Sequence, residues 1–242
     1  NQAQCFIKLK PQLKEKKVHL LRWEDLSEPE KVLAHKFYLK NVFPVLTPLS
    51  VDPGHPFPFI SNLSISLGVT LKHPSNDEKY FARVKIPQVL GQWVRLESKE
   101  SDEYRFVSLL DLVQQNLAEL FPAMQVVCSM PFRLTRNADI LRDEEDAEDL
   151  LEMMEEELRL RRFAEVVRLE HGPNPDPWML HFLMQELEIK EDDLYEMPVT
   201  LDYLSLAQIS ELPIKALKFD SWTPVIPLAF QEEDPMQIFN LI

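Results

Sequence analysis

Five prolines fall in the seventeen residues Phe43 to Phe59, which read FPVLTPLSVDPGHPFPF. Each removes a backbone donor and steers the residue before it away from helix. The stretch is therefore expected as an extended apolar connector that separates a helical beginning from a differently built remainder. A structureless segment of that length is unusual inside a compact domain, and its Phe and Val content says that it packs against something.

On the near side of this run, Ser27-Glu28-Pro29-Glu30 has the spacing of a capping box, which predicts a helix from about Glu28 to Asn41 with Val32, Leu33 and Phe37 on one face. On the far side, Leu63, Ile65, Leu67, Val69 and Leu71 alternate with polar residues or glycine, the period of a half-buried strand. Tyr80, Ala82, Val84 and Ile86 repeat that alternation after a polar turn, which predicts an antiparallel hairpin. Shorter strands are expected at Trp93–Glu97 and Tyr104–Val107. Ser108 then caps a helix whose buried stripe is Leu109, Leu112, Val113, Leu117 and Leu120. A strand through Gln125 to Thr135, a charged helix from Asp143 to Arg162, a strand at Val166–Glu170, a helix opened by Asp176-Pro177 and a short helix near Leu204–Leu212 complete the pattern. The expected class is α+β: antiparallel strands followed by mixed helices and strands, with a short helical N-terminal portion.

Composition narrows the function. With 26 Lys and Arg against 40 Asp and Glu the net charge is -14, which repels phosphate polyanions on average and weighs against nucleic acid or anionic lipid as the partner of the whole surface. The 4 glycines stand far apart, so no glycine-rich phosphate loop exists. Two cysteines, Cys5 and Cys128, make no disulfide framework and suggest a reducing, cytoplasmic setting. No apolar run approaches the roughly 20 residues that cross a bilayer, and Asn1 to Lys10 do not read as a signal peptide. The chain opens without methionine, as an internal piece of a longer protein would.

Candidate chemistry is sparse. The acidic run Asp143 to Asp149 spreads its carboxylates around a helix and reads as a solvated face rather than a cation site. The six histidines show no metal-ligand spacing, and His55 in Pro-Gly-His-Pro reads more simply as an anchor of the proline segment than as a catalytic base. The segment Phe132 to Asp139 (FRLTRNAD) stands out. Alternation puts Phe132 and Leu134 on one face, Arg133 and Thr135 on the other, and Arg136 on the apolar face if the strand stays regular. Its arginines suit contact with phosphate, but salt bridges to the carboxylates downstream are the simpler reading of these residues. A second basic group, Arg159, Arg161, Arg162 and Arg168, is open to the same ambiguity, with helix-dipole complement and dimer-interface anchoring equally available to it.

FPVLTPLSVDPGHPFPFISNLSISL (Phe43 to Leu67) closely resembles the segment opening the head domain of bacterial polyphosphate kinases. FRLTRNAD (Phe132 to Asp139), the acidic helix Glu144 to Glu157, and RRFAEVVRL (Arg161 to Leu169) resemble three further blocks of that domain in the same order. The resemblance implies that residues 1–42 end the helical N-terminal domain and 43–239 form the head domain. It implies a homodimeric parent enzyme that transfers the terminal phosphate of ATP reversibly to polyphosphate, with magnesium and a phosphorylated histidine in a His-His-Pro motif just after the head. The chain reaches Ile242 without that motif, so no residue here inherits the catalytic role. The catalytic C-terminal domains are expected to be absent and this segment alone inactive, with no cofactor of its own. Its implied work is dimerisation and support of the tunnel that polyphosphate threads. Arg133, Arg136 and Asn137 are the residues expected to bind phosphate. Its partners would be a second copy of itself, the absent domains and polyphosphate, in the cytoplasm or peripheral to the membrane. The competing reading is a free-standing module for phosphate-containing headgroups, against which the acidic charge argues.

Overall fold

The structure, a computed structural model, describes residues 1–51, 57–75, 78–96, 103–137 and 164–225. The predicted helix Asp143–Arg162, the acidic run, His55, Arg159, Arg161 and Arg162 lie outside the described residues. The chain divides into two compact units, Asn1–Ser210 and Glu211–Ile242. In the second, Lys215–Leu217 forms a 3-10 turn.

The first unit is α+β, as expected. Two sheets organise it. The smaller joins β1 (Val18–Leu21), β5 (Trp93–Arg95) and β6 (Tyr104–Ser108) in the order β1-β6-β5, with β1 parallel to β6. The larger holds β2 (Pro48–Val51), β3 (Ile65–Lys72), β4 (Lys79–Lys85), β7 (Gln125–Arg136), β8 (Val166–His171) and β9 (Leu194–Glu196) in the order β2-β4-β3-β7-β8-β9. Its strands pair antiparallel except β8 with β9, which run parallel. A parallel pair needs a crossover. The helix α5 (Pro177–Leu187) provides it, and Asp176 caps that helix by accepting from the Met179 N–H at 3.1 Å.

The predicted β3–β4 hairpin is present, with Val69 opposite Ala82. The half-buried reading of β3 is corrected. Ser66 and Thr70 are as buried as Leu67 and Val69, because β3 lies inside the sheet and both faces are covered. On one face Leu67, Val69 and Leu71 join Ala82, Val84, Val107 and Leu112 in the first core. On the other, Phe81, Met130, Phe132, Leu134 and Leu169 meet Met179 and Leu183 of α5. Gly68 belongs to this second face, where a Cβ would lie 2.6 Å from the Met179 sulfur. A larger residue there would have to push the Met179 side chain aside, so glycine eases the approach of helix and sheet.

The proline segment is not a connector throughout. The helix α2 (Glu28–Phe37) continues through a π turn (Tyr38–Val42) and a 3-10 turn (Phe43–Val45). Pro44 sits in the first turn of the latter, where a missing N–H costs nothing. Pro48 then opens β2, an edge strand, the position in a sheet that tolerates proline. The expected buried face of α2 is also corrected: Val32 and Leu33 are exposed, and Ala34, Tyr38 and Val42 are buried in the first core. Residues four apart share a helix face, so the buried stripe is shifted by two positions from Val32.

Ser108 caps α3 (Leu109–Gln115) as predicted, accepting from the Asp111 N–H at 3.0 Å. The single helix expected here breaks at Asn116 into α3 and α4 (Leu117–Leu120); the Asn116 amide donates to the Leu112 carbonyl at 2.7 Å. The α1 helix (Gln2–Glu15) and the β1, β2 and β9 strands went unpredicted. The α1 helix contains Pro11 and buries only Phe6, so despite Asn1 at its start and Lys14 in its last turn it lacks the apolar stripe a sequence reading relies on. The last element of the unit is a 3-10 turn, Leu204–Leu206, continuing into α6 (Ala207–Ser210). The Gln208 side chain there accepts from the Trp93 N–H at 3.0 Å and donates to the Trp93 carbonyl at 2.6 Å, filling the open edge of β5.

One ion pair ties α2 to the small sheet. Arg105 of β6 donates to Glu30 from Nε at 2.5 Å and from Nη2 at 3.3 Å. The same carboxylate accepts from the Ser27 N–H at 2.9 Å and its hydroxyl at 2.7 Å, closing the capping box. Burial alone would raise the Glu30 pKa, but the hydrogen bonds from Arg105 and Ser27 outweigh it and bring the pKa down to about 2.

Candidate phosphate-contact site

The predicted segment Phe132–Arg136 ends β7, between β3 and β8. Pairing places Arg133 opposite Glu170 and Thr135 opposite Arg168, so the alternation read from the sequence holds: Phe132 and Leu134 lie in the second core and Arg133 points away from it. Arg133 donates from Nε to Glu170 Oε2 at 2.5 Å, and Arg168 donates from Nη2 to Glu170 Oε1 at 2.8 Å. The Glu170 side chain is only 6% exposed. Two guanidinium groups therefore clamp one buried carboxylate, leaving one surplus positive charge. The Arg168 guanidinium also lies 4.1 Å from the ring centre of Tyr195 on β9. Among the described residues, neither terminal nitrogen of Arg133 has a hydrogen-bond partner.

Arg136 is used differently. The β7–β8 register shifts between Thr135 and Arg136, and the Arg136 guanidinium turns towards Ile60, a member of the second core. Its Nε and Nη2 donate to the Ile60 carbonyl at 3.2 and 3.0 Å, its Nη1 to the Ala164 carbonyl at 2.7 Å, and it stacks over Phe59 at 4.7 Å. Burial pushes its pKa down. The Arg136 N–H donates to Asn62 Oδ1 and the Asn137 N–H to the Glu165 carbonyl, which pins the end of β7 against the turn before β3 and the approach to β8.

The structure thus brings Arg133 together with Arg168 and Glu170 rather than with Arg136. Arg133 does form a salt bridge, and its partner among the described residues is Glu170; the acidic run downstream lies outside them. Glu170 was the residue missed. Its signal was present, since Arg168 and Glu170 are two apart on a strand and must share a face; only the register reveals that Arg133 joins them. Among the described residues no three His, Cys, Asp or Glu side chains could hold a metal ion, and no described helix is long and apolar enough to cross a membrane.

Comparison with known proteins gives a consistent result. Residues 29–209 match the family described as polyphosphate kinase middle domain. Polyphosphate kinases of Mycobacterium ulcerans and Mycolicibacterium gilvum are 41% and 38% identical over 236 and 237 residues, covering 95% and 97% of this chain. The chain spans about a third of those relatives, 32% of each. Among solved structures, polyphosphate kinase from Porphyromonas gingivalis superimposes with a TM-score of 0.70 at 19% identity, covering 91% of this chain and 31% of that one, a likeness of fold. On the strength of the sequence match along nearly its whole length, this chain belongs to the polyphosphate kinase family and carries that family's middle domain.

Proposed function

We propose that this chain is a non-catalytic region of a homodimeric, cytoplasmic polyphosphate kinase. The parent enzyme transfers the terminal phosphate of ATP reversibly to polyphosphate, using magnesium and a phosphohistidine carried by domains outside this segment. Residues 1–42 end its helical N-terminal domain and 43–239 form its head domain. The head supports the dimer and one wall of the path that polyphosphate follows. The observation that carries this reading is the match of residues 29–209 to the middle domain, within a chain about 40% identical to curated polyphosphate kinases. A free-standing headgroup-binding module finds no support in those similarities.

Within that role Arg133, Arg136 and Asn137 are the proposed phosphate-binding residues, and their geometry divides the work. Among the described residues Arg133 retains two unpartnered terminal nitrogens beside a net positive cluster, a disposition suited to an anionic oxygen. Arg136, with all three nitrogens on backbone carbonyls, holds the segment in place. Asn137 follows it at the strand end. The test is polyphosphate affinity of the full-length enzyme carrying Arg133→Gln, with light scattering to establish its oligomeric state. Weaker affinity in an intact dimer is expected. Unchanged affinity would remove Arg133 from the site, and a monomeric active enzyme would remove the dimer role.

A further inference from the structure

A second cationic feature lies at the other edge of the large sheet. Arg83 of β4 is 5% exposed, yet among the described residues it forms no ion pair. Its Nε donates to Ser66 Oγ at 3.0 Å and its Nη1 to the Phe59 carbonyl at 3.1 Å, both neutral acceptors; Nη2 has no partner among the described residues. Burial lowers the Arg83 pKa, and no neighbouring acid opposes that shift. A guanidinium cannot escape by losing its proton at neutral pH, so it stays a buried charge without a counter-charge among the described residues. Such groups are normally paired.

Arg83 lines a groove of about 430 Å³ beside β2, a volume in the range of small-molecule sites. The polar side chains that line it are Thr47, Arg83, Lys85 and Gln88, all able to donate hydrogen bonds, and the rest of the lining is apolar, including Val45 and Leu49. Among the described residues it contains no carboxylate, in a chain where 40 acids face 26 bases. The sheet explains the grouping: Arg83 and Lys85 are two apart on one strand, and Leu49 sits opposite Arg83 in β2. Of its two cations, Lys85 is exposed and Arg83 is buried.

We infer that this groove is an oxyanion site for a phosphoryl group, with Arg83 as the buried counter-charge and Lys85 as the cation at the entrance. Several donors, two from β4, one from the residue before β2 and one from the loop after β4, with no acceptor-only group among the described lining, suit an anion with oxygens in several directions better than a planar carboxylate. The site is separate from the Arg133 cluster. It does not depend on the kinase reading, which polyphosphate formation by the full-length enzyme tests independently.

The test reads Lys85 directly, so it works in the full-length protein where other sites also bind phosphate. The labelling rate of each lysine by an amine-reactive reagent is followed by mass spectrometry, with and without inorganic phosphate or tripolyphosphate, and exposed Lys8 as internal control. We expect at least about fivefold slower labelling of Lys85 with anion, little change at Lys8, and loss of the protection in Arg83→Met. Removing an unpaired buried charge should leave the fold intact, with a thermal midpoint in anion-free buffer equal to or above wild type. Protection by tripolyphosphate alone would identify a phosphate chain as the ligand; equal protection by both would identify a single phosphoryl group. No protection by either, or protection that survives Arg83→Met, overturns the proposal. So does protection by polyglutamate but not by tripolyphosphate, which would make a protein carboxylate the occupant.

Discussion

The tie between α2 and β6 gives the sharpest test of how this fold is held. Glu30→Gln keeps the size of the side chain and removes its charge. An ordinary glutamate titrates at 4.5 and Glu30 at about 2; at about 1.4 kcal/mol per pH unit, that difference corresponds to roughly 3 kcal/mol of stability. Solvent reaches both partners, with side chains 15% and 24% exposed, so screening reduces the expected loss to about 2 kcal/mol at pH 7. The folded-state pKa is depressed, so this contribution is fully present above pH 4.5 and disappears as pH falls through about 2. Urea denaturation followed by far-UV circular dichroism at pH 7, 5, 4 and 3 should therefore show a constant gap between wild type and variant down to about pH 5, then a narrowing gap. A loss below about 0.5 kcal/mol at pH 7, or a gap that does not narrow below pH 4.5, would refute the assignment of this stability to the carboxylate charge.

Two further outcomes follow from buried groups. Glu170→Gln strands Arg133 and Arg168 beside a neutral amide and should cost roughly 3 kcal/mol in chemical denaturation, more than Arg168→Ala, whose side chain is 40% exposed; equal costs would show that the carboxylate is not the hub. Gly68→Ala should cost about 1–3 kcal/mol, because its Cβ meets the Met179 sulfur, and in Gly68→Ala/Met179→Ala the losses should sum to less than the two single effects by at least about 0.5 kcal/mol; strict additivity would mean that the two side chains do not share that space.

Much of the fold was legible where a local signal and its structural partner lie close together. Ser27 with Glu30, Ser108 with Asp111 and Asp176 before Pro177 mark helix starts through bonds within three residues, and each helix begins there. Alternation along Ile65–Lys72 and Lys79–Lys85 likewise located a hairpin. The failures have a different cause. Val32 and Leu33 look like a core face because they are apolar, but the core lies where Ala34, Tyr38 and Val42 point. The β1 and β9 strands have three or four residues and become strands through parallel neighbours distant in sequence.

By itself, then, the sequence determined the α+β class, the starts of α2, α3 and α5, the central hairpin, the faces of Arg133 and Thr135, and the family, all of which are written in residue spacing or in ordered blocks of identity. The tertiary structure alone decided that Ser66 and Thr70 are buried, that Arg133 shares Glu170 with Arg168 while Arg136 is used on backbone carbonyls, and that Arg83 is a buried cation with no acid beside it among the described residues. Those properties depend on strand order, on register and on what covers each face. Such long-range pairings carry no local periodicity, so the residues that form them are not marked as partners until the sheet brings them together.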